Sequence, residues 1–299
     1  MTHKLLVIGS RGLLGQACLA SAIAHEWEGV GVDVGEIDIT DAASVEAVIA
    51  REQPSAVINC AAYTDVEGAE TPDGRAIADR VNGEGPGIVA HACLRHKSAF
   101  IHLSTDYIFN GTSESGAEEA DVPSEPMNAY GATKRAGEIA VTNVAGGLIG
   151  SHFQCVEPQI CLVRTSWLFG ASAKNFVSKV ADRARSEGVV SVVTDEIGCP
   201  TYVRDLAECL IWMLEAESRS GIYHVVGLGS CSRFEFADAV LKGLGIPATV
   251  TPTTLDAFPR KAKIAHVSVL KNTKLPKLRT WQEMVQGYCE EVGRERSGF

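Results

Sequence analysis

The chain has 299 residues, of which 45% are apolar and 21% are charged, a composition that is ordinary for a globular protein and excludes a disordered one. Aspartate and glutamate outnumber lysine and arginine by 37 to 27, which gives a net charge of −10. Because a nucleic-acid-binding face requires an excess of basic residues, we expect no nucleic-acid partner. The length predicts one large domain with a smaller companion.

The N-terminal residues enter the apolar run KLLVIG at residue 4, which leaves no room for a secretory segment, and no later apolar run is long enough to span a bilayer. We therefore expect a cytoplasmic protein with no membrane partner. The nine cysteines form no C-x-x-C pair and the eight histidines no H-E-x-x-H pattern. The sequence predicts reduced, buried thiols and no metal site.

Short apolar runs alternate with longer helical patterns along the first 187 residues. The predicted strands are residues 4–9, 29–34, 55–60, 99–104 and 160–165, and the predicted helices are residues 13–25, 42–52, 76–96, 129–141 and 173–187. The strands are apolar without alternation, as expected when both faces are buried. This repeated βα pattern predicts an α/β fold, a doubly wound parallel sheet with helices on both faces.

Three glycines, Gly9, Gly12 and Gly15, follow the first predicted strand and open the first helix. In this context backbone N–H groups and the helix N-terminus can meet a pyrophosphate, and a side chain at Gly9 or Gly12 would block that approach. The spacing is G-x-x-G-x-x-G rather than G-x-G-x-x-G, and a tight turn that binds nothing is the alternative. The motif predicts a Rossmann-type domain that binds a dinucleotide.

The regular alternation weakens beyond about residue 195, where prolines are more frequent and the elements are shorter. We expect residues 1–170 to form the dinucleotide-binding domain. Residues 171–299 are expected to form mainly a smaller α/β substrate domain, with part of the chain crossing back to the sheet. The glycine-rich stretch 143–158 is predicted to be a surface loop.

Asp33 ends the second predicted strand, where a carboxylate accepts hydrogen bonds from the adenosine ribose and repels a 2′-phosphate. No arginine follows it nearby, so NADH is favoured over NADPH. A solvated strand-end carboxylate is the alternative. Asp38 and Ile39 could flank the adenine, although Thr40 or Asp41 could simply cap the next helix.

Tyr130 and Lys134 are four residues apart and therefore share one face of a predicted helix. Thr105 ends the fourth predicted strand, at the edge where open α/β sheets hold their ligands. We expect the ammonium to lower the pKa of the phenol, and the Thr105 hydroxyl to stabilise a developing alkoxide. Together the three residues predict carbonyl reduction, whereas a Tyr/Lys pair alone is more often a solvated helix face.

These motifs, in this order from residue 4 to about 170, resemble the extended short-chain dehydrogenase/reductase family. Sugar-nucleotide 4,6-dehydratases of that family carry glutamate where this chain has Tyr107, so ketone reduction is favoured over water elimination. The chain resembles the dTDP-4-dehydrorhamnose reductase branch nearly end to end. The matching stretches include VINCAAYTDVEGAE (57–70), IHLSTDYIFNG (101–111), NAYGATKRAGE (128–138), LVRTSWLFG (162–170) and TDEIGCPTYVRDLAE (194–208).

This resemblance implies hydride transfer from NAD(P)H to C4 of a nucleotide-linked 4-keto-6-deoxy sugar, dTDP-4-dehydrorhamnose giving dTDP-L-rhamnose. It implies that Tyr130 donates the proton, that Lys134 also holds the nicotinamide ribose, and that the protein is a monomer or homodimer. The implied contacts are Gly12, Leu13 and Leu14 for the pyrophosphate, Asp33, Asp38 and Ile39 for the adenosine, Ala61, Ala62 and Tyr63 for the inner face of the cofactor, and Thr105, Asp106 and Trp167 for the sugar.

One segment departs from the family pattern. Residues 258–270 have the sequence FPRKAKIAHVSVL where F-P-x-x-A-R-R-P-x-x-S-x-L is expected, so Ile264 and Ala265 replace arginine and proline. The loss of a diphosphate-binding arginine affects nucleotide recognition, for which Arg260 and Lys261 could compensate. The departure leaves two alternatives open: another nucleotide sugar, or a non-catalytic NAD(P)-binding regulatory subunit similar to that of methionine adenosyltransferase. An epimerase is a third option, but the nearly end-to-end resemblance favours the reductases.

Overall fold

The structure is a computed structural model that describes residues 3–149, 152–154 and 157–297. Its strands are β1 (Lys4–Ile8), β2 (Glu28–Val32), β3 (Ala56–Asn59), β4 (Ala99–Thr105), β5 (Leu148–Ile149), β6 (His152–Phe153), β7 (Ile160–Thr165), β8 (Leu168–Phe169), β9 (Val189–Val193), β10 (Ile197–Gly198), β11 (Thr201–Tyr202), β12 (Gly221–His224), β13 (Cys231–Ser232), β14 (Thr249–Thr253) and β15 (Val267–Ser268). Its α-helices are α1 (Leu13–Ala24), α2 (Ala42–Glu52), α3 (Pro72–Ala78), α4 (Gly85–His96), α5 (Ala129–Val144), α6 (Phe176–Glu187), α7 (Val203–Glu215), α8 (Arg233–Gly243) and α9 (Trp281–Ser297).

A large sheet carries the fold, with the strand order β2-β1-β3-β4-β7-β12-β6-β5 among the described residues. The first six strands are parallel, and β6 and β5 add an antiparallel edge. Alternate residues of β1 enter different cores: Leu5 and Val7 pack towards α1 and α7, whereas Leu6 and Ile8 pack towards α2 and α4. The predicted doubly wound parallel sheet is confirmed, and burial on both faces explains its apolar strands.

Three local predictions need correction. The predicted surface loop 143–158 contains the hairpin of β5 and β6, and residues 150–151 and 155–156 of it lie outside the described residues. Helix α6 begins at residue 176 rather than 173, because Asn175 forms a capping box with Ser178. The predicted helix 76–96 begins at Pro72, because the Thr71 hydroxyl caps the helix by accepting from Gly74 N. A π-helical turn, Asp79–Glu84, joins α3 to α4.

Beyond residue 165 the chain forms three small sheets, β13-β10-β15, β11-β8 and β14-β9. A core of aromatic rings lies between α6, α8 and α9, in which Phe169 contacts Tyr202, Phe236 and Tyr288. The chain returns to the large sheet at residues 203–224, where α7 packs on α1 and β12 pairs with β7. The predicted boundary at residue 170 stays a prediction.

The cysteines that the structure describes are free thiols, and six of the eight are buried. Burial raises the pKa of the Cys161 and Cys209 thiols to about 12, so both stay protonated at neutral pH. Cys155 lies outside the described residues. Within the described ranges, no helix is both long and apolar enough to cross a membrane.

An ion pair between β7 and α5 is enclosed in the protein. The Arg164 guanidinium donates from Nε and Nη2 to the two carboxylate oxygens of Glu138, at 3.0 and 2.9 Å, and the side chains are only 2% and 7% exposed. Burial raises the pKa of Glu138, but the charge and hydrogen bonds of Arg164 outweigh it, so the pKa is lowered. The pair therefore stays ionised and joins α5 to the sheet.

Replacement of Arg164 by methionine should destabilise the protein by about 3–5 kcal/mol, because Glu138 is left as a buried charge without its partner. The double variant Glu138→Leu/Arg164→Met should recover most of that loss, since apolar side chains then replace both charges. Urea unfolding of the wild type, the single variant and the double variant at neutral pH measures both effects. An Arg164→Met protein as stable as the wild type contradicts this account.

The same pair predicts a pH dependence. Because the pKa of Glu138 is lowered on folding, its contribution is present above the ordinary glutamate pKa and is lost as the pH falls through the folded-state pKa. The stability of the wild type should therefore decline on acidification more steeply than that of the double variant.

Candidate active site

The glycine turn between β1 and α1 brings backbone N–H groups to the carboxyl edge of the sheet. Gly9 has a φ of +79°, and a Cβ there would lie 2.7 Å from Ala61 N, so the position requires glycine. A Cβ at Gly15 would lie 2.2 Å from Gly9 O. Gly12 precedes α1 without a side-chain cap, which leaves the first N–H groups of the helix oriented for an anion.

Leu13 and Leu14 open α1, and both side chains face protein. Leu14 is 6% exposed and belongs to the core, and the half-buried Leu13 packs beside Gly170. Their predicted contact with a pyrophosphate therefore depends on the backbone N–H groups.

Asp33 lies at the end of β2 beside the glycine turn. Its two oxygens accept hydrogen bonds from Arg11 N and Val34 N, each at 2.8 Å. The Arg11 guanidinium crosses the strand end and donates from Nη2 to Val34 O at 2.9 Å and to Glu36 Oε2 at 3.3 Å. No arginine closely follows Asp33 in the sequence, but this cation precedes it in the turn, where the local pattern after the strand gave no sign of it.

Asp38 and Ile39 have local structural contacts. Asp38 Oδ1 accepts from the backbone N and the hydroxyl of Thr40, at 2.9 and 2.8 Å, and these bonds lower the pKa of Asp38. Ile39 is 5% exposed and packs against Gly85. Asp41 caps α2, as the sequence allowed. A contact of Asp38 or Ile39 with adenine stays a prediction.

The segment from Ala61 to Tyr63 follows β3 and is half-buried. Asn82, in the π-helical turn, binds both sides of the Tyr63 peptide: its Oδ1 accepts from Tyr63 N at 2.8 Å and its Nδ2 donates to Tyr63 O at 3.0 Å. The same Nδ2 lies 3.1 Å from Thr133 Oγ1 on α5. Asn82 thus joins the predicted cofactor-binding segment, including Ala62, to α5, a role that no local pattern indicated.

Thr105, Asp106 and Tyr130 meet where β4 ends and α5 begins. Thr105 lies beside Tyr130 and favours its ionised form, and the Thr105 hydroxyl donates to Asp106 Oδ1 at 3.1 Å. Asn128 caps α5 by accepting from Gly131 N at 2.8 Å, which sets the start of the helix that carries Tyr130. The structure therefore brings together the predicted proton donor and the predicted alkoxide-stabilising hydroxyl.

Lys134 lies one helical turn beyond Tyr130 and is 2% exposed. Its Nζ donates to Leu103 O at 2.7 Å and lies 3.3 Å from His102 Nε2. Burial lowers the pKa of Lys134 to about 8, whereas burial and the charge of Asp106 raise the pKa of Tyr130 to about 12. The prediction that Lys134 lowers the pKa of Tyr130 is wrong for this structure, because the ammonium points to β4.

A cleft of about 360 Å³ adjoins this cluster. Tyr107 lines the cleft and contacts Tyr130 edge to face, with ring centroids 5.7 Å apart. The cationic side chains of the cleft are Lys179, Arg183, Arg233 and Arg260, and its aromatic side chains are Tyr107, Phe176 and Phe258. Such a surface suits an anionic ligand that also carries a ring.

The whole chain was compared with known proteins. Residues 3–294 match the family model described as RmlD substrate binding domain. The chain is 36% identical over 307 residues to the dTDP-4-dehydrorhamnose reductase of Streptomyces griseus. The match covers 98% of this chain and 96% of the Streptomyces griseus enzyme. The chain is 34% identical over 288 residues to a Streptomyces antibioticus protein named probable dTDP-4,6-dihydroxy-2-methyloxan-3-one 4-ketoreductase, with 94% and 92% covered. The chain belongs to the RmlD family.

A solved structure agrees with this assignment. The Bacillus anthracis dTDP-4-dehydrorhamnose reductase in complex with NADP has a TM-score of 0.89 and 30% identity, with 97% of this chain and 100% of that one covered. The predicted resemblance to the dTDP-4-dehydrorhamnose reductase branch, and with it to a family of oxidoreductases, is confirmed. The alternative of a non-catalytic regulatory subunit gains no support from these relatives.

In this RmlD-family chain, Trp167 packs within the part of the chain beyond residue 165, which forms the small sheets. The Arg233 guanidinium lies over the indole, 3.5 Å from the ring centroid, and a Cβ at Gly198 would lie 2.4 Å from the ring. Arg233 is held in place by Glu196, whose Oε1 accepts from its Nε at 3.0 Å. Trp167 therefore positions a cation of the cleft, and its predicted contact with the sugar stays a prediction.

The segment 258–270, which departs from the family pattern, is held beside the site by hydrogen bonds. Glu67 accepts from Arg260 Nε at 3.1 Å and from Lys261 N at 2.9 Å. Asn128 Nδ2 donates to Lys263 O at 2.8 Å. Ser268 Oγ donates to Asp106 Oδ2 at 2.7 Å. These contacts carry Arg260 to the cleft although Ile264 and Ala265 replace arginine and proline.

Across the residues that the structure describes, no group of three or more histidine, cysteine, aspartate or glutamate side chains could hold a metal ion.

Proposed function

We propose that this chain reduces the C4 ketone of a nucleotide-linked 4-keto-6-deoxy sugar, dTDP-4-dehydrorhamnose to dTDP-L-rhamnose, with NAD(P)H as the hydride donor. The observation that carries the proposal is the meeting of Thr105 and Tyr130 beside buried Lys134, at the carboxyl edge of the parallel sheet. Both Streptomyces relatives are named as enzymes that reduce nucleotide-linked sugars.

The cofactor fits the glycine turn. A Cβ at Gly9 or Gly15 would collide with backbone, so glycine at both positions keeps the turn tight and the N-terminus of α1 open to a pyrophosphate. The Bacillus anthracis relative was solved in complex with NADP. We assign Gly12, Leu13 and Leu14 to the pyrophosphate, the strand end at Asp33 to the adenosine ribose, and the segment from Ala61 to Tyr63 to the inner face. The reduced nicotinamide supplies the hydride when it is bound.

Tyr130 acts as the proton donor. With its pKa raised to about 12, the phenol keeps its proton throughout the neutral pH range and is always in the form that can donate. The alkoxide formed at C4 is a much stronger base than the phenolate, so the transfer is downhill. Thr105, beside Tyr130, places a second hydroxyl where the developing alkoxide can be stabilised.

The cleft accounts for the nucleotide part of the substrate. A diphosphate carries several negative charges, and Arg233 and Arg260 present guanidinium groups whose geometry matches phosphate oxygens. Arg260 is carried by the segment that departs from the family pattern, so it can supply the positive charge lost where Ile264 replaces arginine. We assign the sugar to Thr105, Asp106 and Trp167, at the end of the cleft nearest Tyr130.

Replacement of Tyr130 by phenylalanine should lower turnover by about 10²–10⁴, because the proton donor is lost while the ring is retained. The assay follows the oxidation of NADPH or NADH by dTDP-4-dehydrorhamnose, and cofactor affinity should change little. Tyr223→Phe, which removes a hydroxyl bonded to Arg219 O, is the matched control and should stay active. Full activity of Tyr130→Phe rejects the assignment of the donor.

We propose further that Asp33 favours NADH, and that Arg11 offsets part of its repulsion of a 2′-phosphate. Arg11→Gln should raise the KM for NADPH about tenfold, the equivalent of one charge-assisted hydrogen bond, and leave the KM for NADH nearly unchanged. Asp33→Asn should shift the preference towards NADPH. Equal effects of Arg11→Gln on both cofactors would show that the guanidinium does not face the 2′-position.

Replacement of Arg260 by glutamine should raise the KM for the nucleotide sugar about tenfold and change kcat little, because a contact to the diphosphate is lost in the ground state and the transition state alike. Arg204→Gln removes an exposed arginine that is bonded to Glu291, and it serves as the control. An unchanged KM for Arg260→Gln would mean that the diphosphate lies elsewhere in the cleft.

A further inference from the structure

The turn that follows Tyr63, residues 65–71, packs beside the proposed proton donor. Ala69 is 0% exposed and belongs to a small apolar cluster against which Tyr63 and Tyr130 pack. Near the end of the turn, Glu70 Oε1 accepts from the backbone N of the first residue of α5 at 2.7 Å. The 65–71 turn is therefore fixed to the start of the helix that carries Tyr130.

The backbone of the 65–71 turn has little room for movement. Gly68 N donates to Asp65 Oδ1 at 2.9 Å, and the Thr71 hydroxyl donates to Gly68 O at 2.7 Å. The space around Gly68 is filled, because a Cβ there would lie only 2.4 Å from Asp65 Oδ2. These bonds and this close packing hold Glu67, the neighbour of Gly68, in a defined place.

Glu67 uses its carboxylate to hold the segment that carries Arg260. Its Oε1 accepts from Arg260 Nε at 3.1 Å, and its Oε2 accepts from Lys261 N at 2.9 Å and from Ala262 N at 3.4 Å. Burial raises the pKa of Glu67, but the hydrogen bonds from Arg260 and from the two backbone N–H groups outweigh it, so the pKa is lowered. Glu67 therefore binds the segment as an anion at neutral pH.

The bond to Nε determines which edge of the Arg260 guanidinium is left for a ligand. A guanidinium can bind an oxyanion through two N–H groups at once, along its Nε/Nη edge or along its Nη1/Nη2 edge. Glu67 occupies Nε, so the Nη1/Nη2 edge is left for the cleft that Arg260 lines. The family pattern given above leaves residue 260 variable, so this arrangement depends on an arginine that the pattern does not specify.

We propose that Glu67 is a positioning residue for the nucleotide diphosphate, which holds the Nη1/Nη2 edge of Arg260 towards the phosphates at a fixed separation from Tyr130. This inference rests on the function proposed above, in which Arg260 binds the diphosphate. The Glu67 carboxylate also repels the phosphates, so its two effects on binding oppose each other. Positioning is the larger effect, because the charge of Glu67 is already paired with a guanidinium and two N–H groups.

Binding of dTDP, which requires no turnover, tests this role. Glu67→Asp keeps the charge but withdraws the carboxylate by one methylene, whereas Glu67→Gln removes the charge. Both variants should raise the Kd for dTDP about fivefold, as measured by titration calorimetry on the full chain with saturating oxidised cofactor. Glu46→Gln changes a half-buried glutamate that joins α2 to α4, and this control should bind dTDP like the wild type. Wild-type or tighter binding by either Glu67 variant overturns the inference.

A double-mutant cycle separates positioning from a general effect on the fold. Arg260→Gln alone should raise the Kd for dTDP about tenfold, and Glu67→Gln should then raise it no further, because the guanidinium on which Glu67 acts is gone. Independent effects would multiply to about fiftyfold and would overturn the inference. The Glu67 and Arg260 side chains are 41% and 36% exposed, so we expect the variants to fold. If the double variant does not fold, the two Glu67 variants decide.

The failure of this inference and that of the proposed function give different results. A non-additive cycle, with no reduction of 4-keto sugar nucleotides by the wild type, overturns the reductase and supports the role of Glu67 in nucleotide binding. Additive effects with normal turnover overturn the role of Glu67 and leave the reductase intact. Absence of dTDP binding by the wild type overturns the assignment of the diphosphate to Arg260, and this inference with it.

Discussion

The catalytic helix α5 is held against the sheet by two charged side chains that it buries, and the geometry of the site depends on them. Lys134 donates to Leu103 O on β4, and Glu138, one turn further, pairs with Arg164 on β7. A buried charge without its partner costs several kcal/mol, so the helix cannot slide or rotate along the sheet without losing both contacts. Tyr130, on the first turn of the same helix, is therefore held at the end of β4, where Thr105 meets it.

A second set of contacts connects α5 and the large sheet to residues 258–270. The carboxylate of Glu67 holds residues 260–262, chiefly through backbone N–H groups, and Ser268 binds Asp106, the neighbour of Thr105. Neither contact uses the two positions that depart from the family pattern. On the function proposed above, the segment can thus change its cationic side chains, and with them its preference among nucleotide sugars, while it stays anchored beside Thr105 and Tyr130. Recognition of the nucleotide sugar can therefore change without a change in the catalytic residues, because different atoms of residues 258–270 serve the two purposes.

The sequence predicted those features that follow from local constraints. Strands buried on both faces must be apolar throughout, a turn with positive φ against a neighbouring backbone must contain glycine, and a spacing of four must share a helix face. Contacts across 22 residues, as between Arg11 and Asp33, or 193 residues, as between Glu67 and Arg260, leave no such pattern. The spacing of Tyr130 and Lys134 likewise predicts that both lie on one helix face. It does not predict where the Lys134 ammonium points, because that depends on a hydrogen bond to a carbonyl of β4.

The pKa values change how the Tyr130/Lys134 pair is understood. If Lys134 served mainly to acidify the phenol, its charge would lie on the hydroxyl and the pKa of Tyr130 would fall, whereas burial and Asp106 raise it to about 12. A tightly held proton is no disadvantage when the acceptor is an alkoxide of far higher basicity. In the proposed reaction, it ensures that Tyr130 carries its proton before the ketone is reduced.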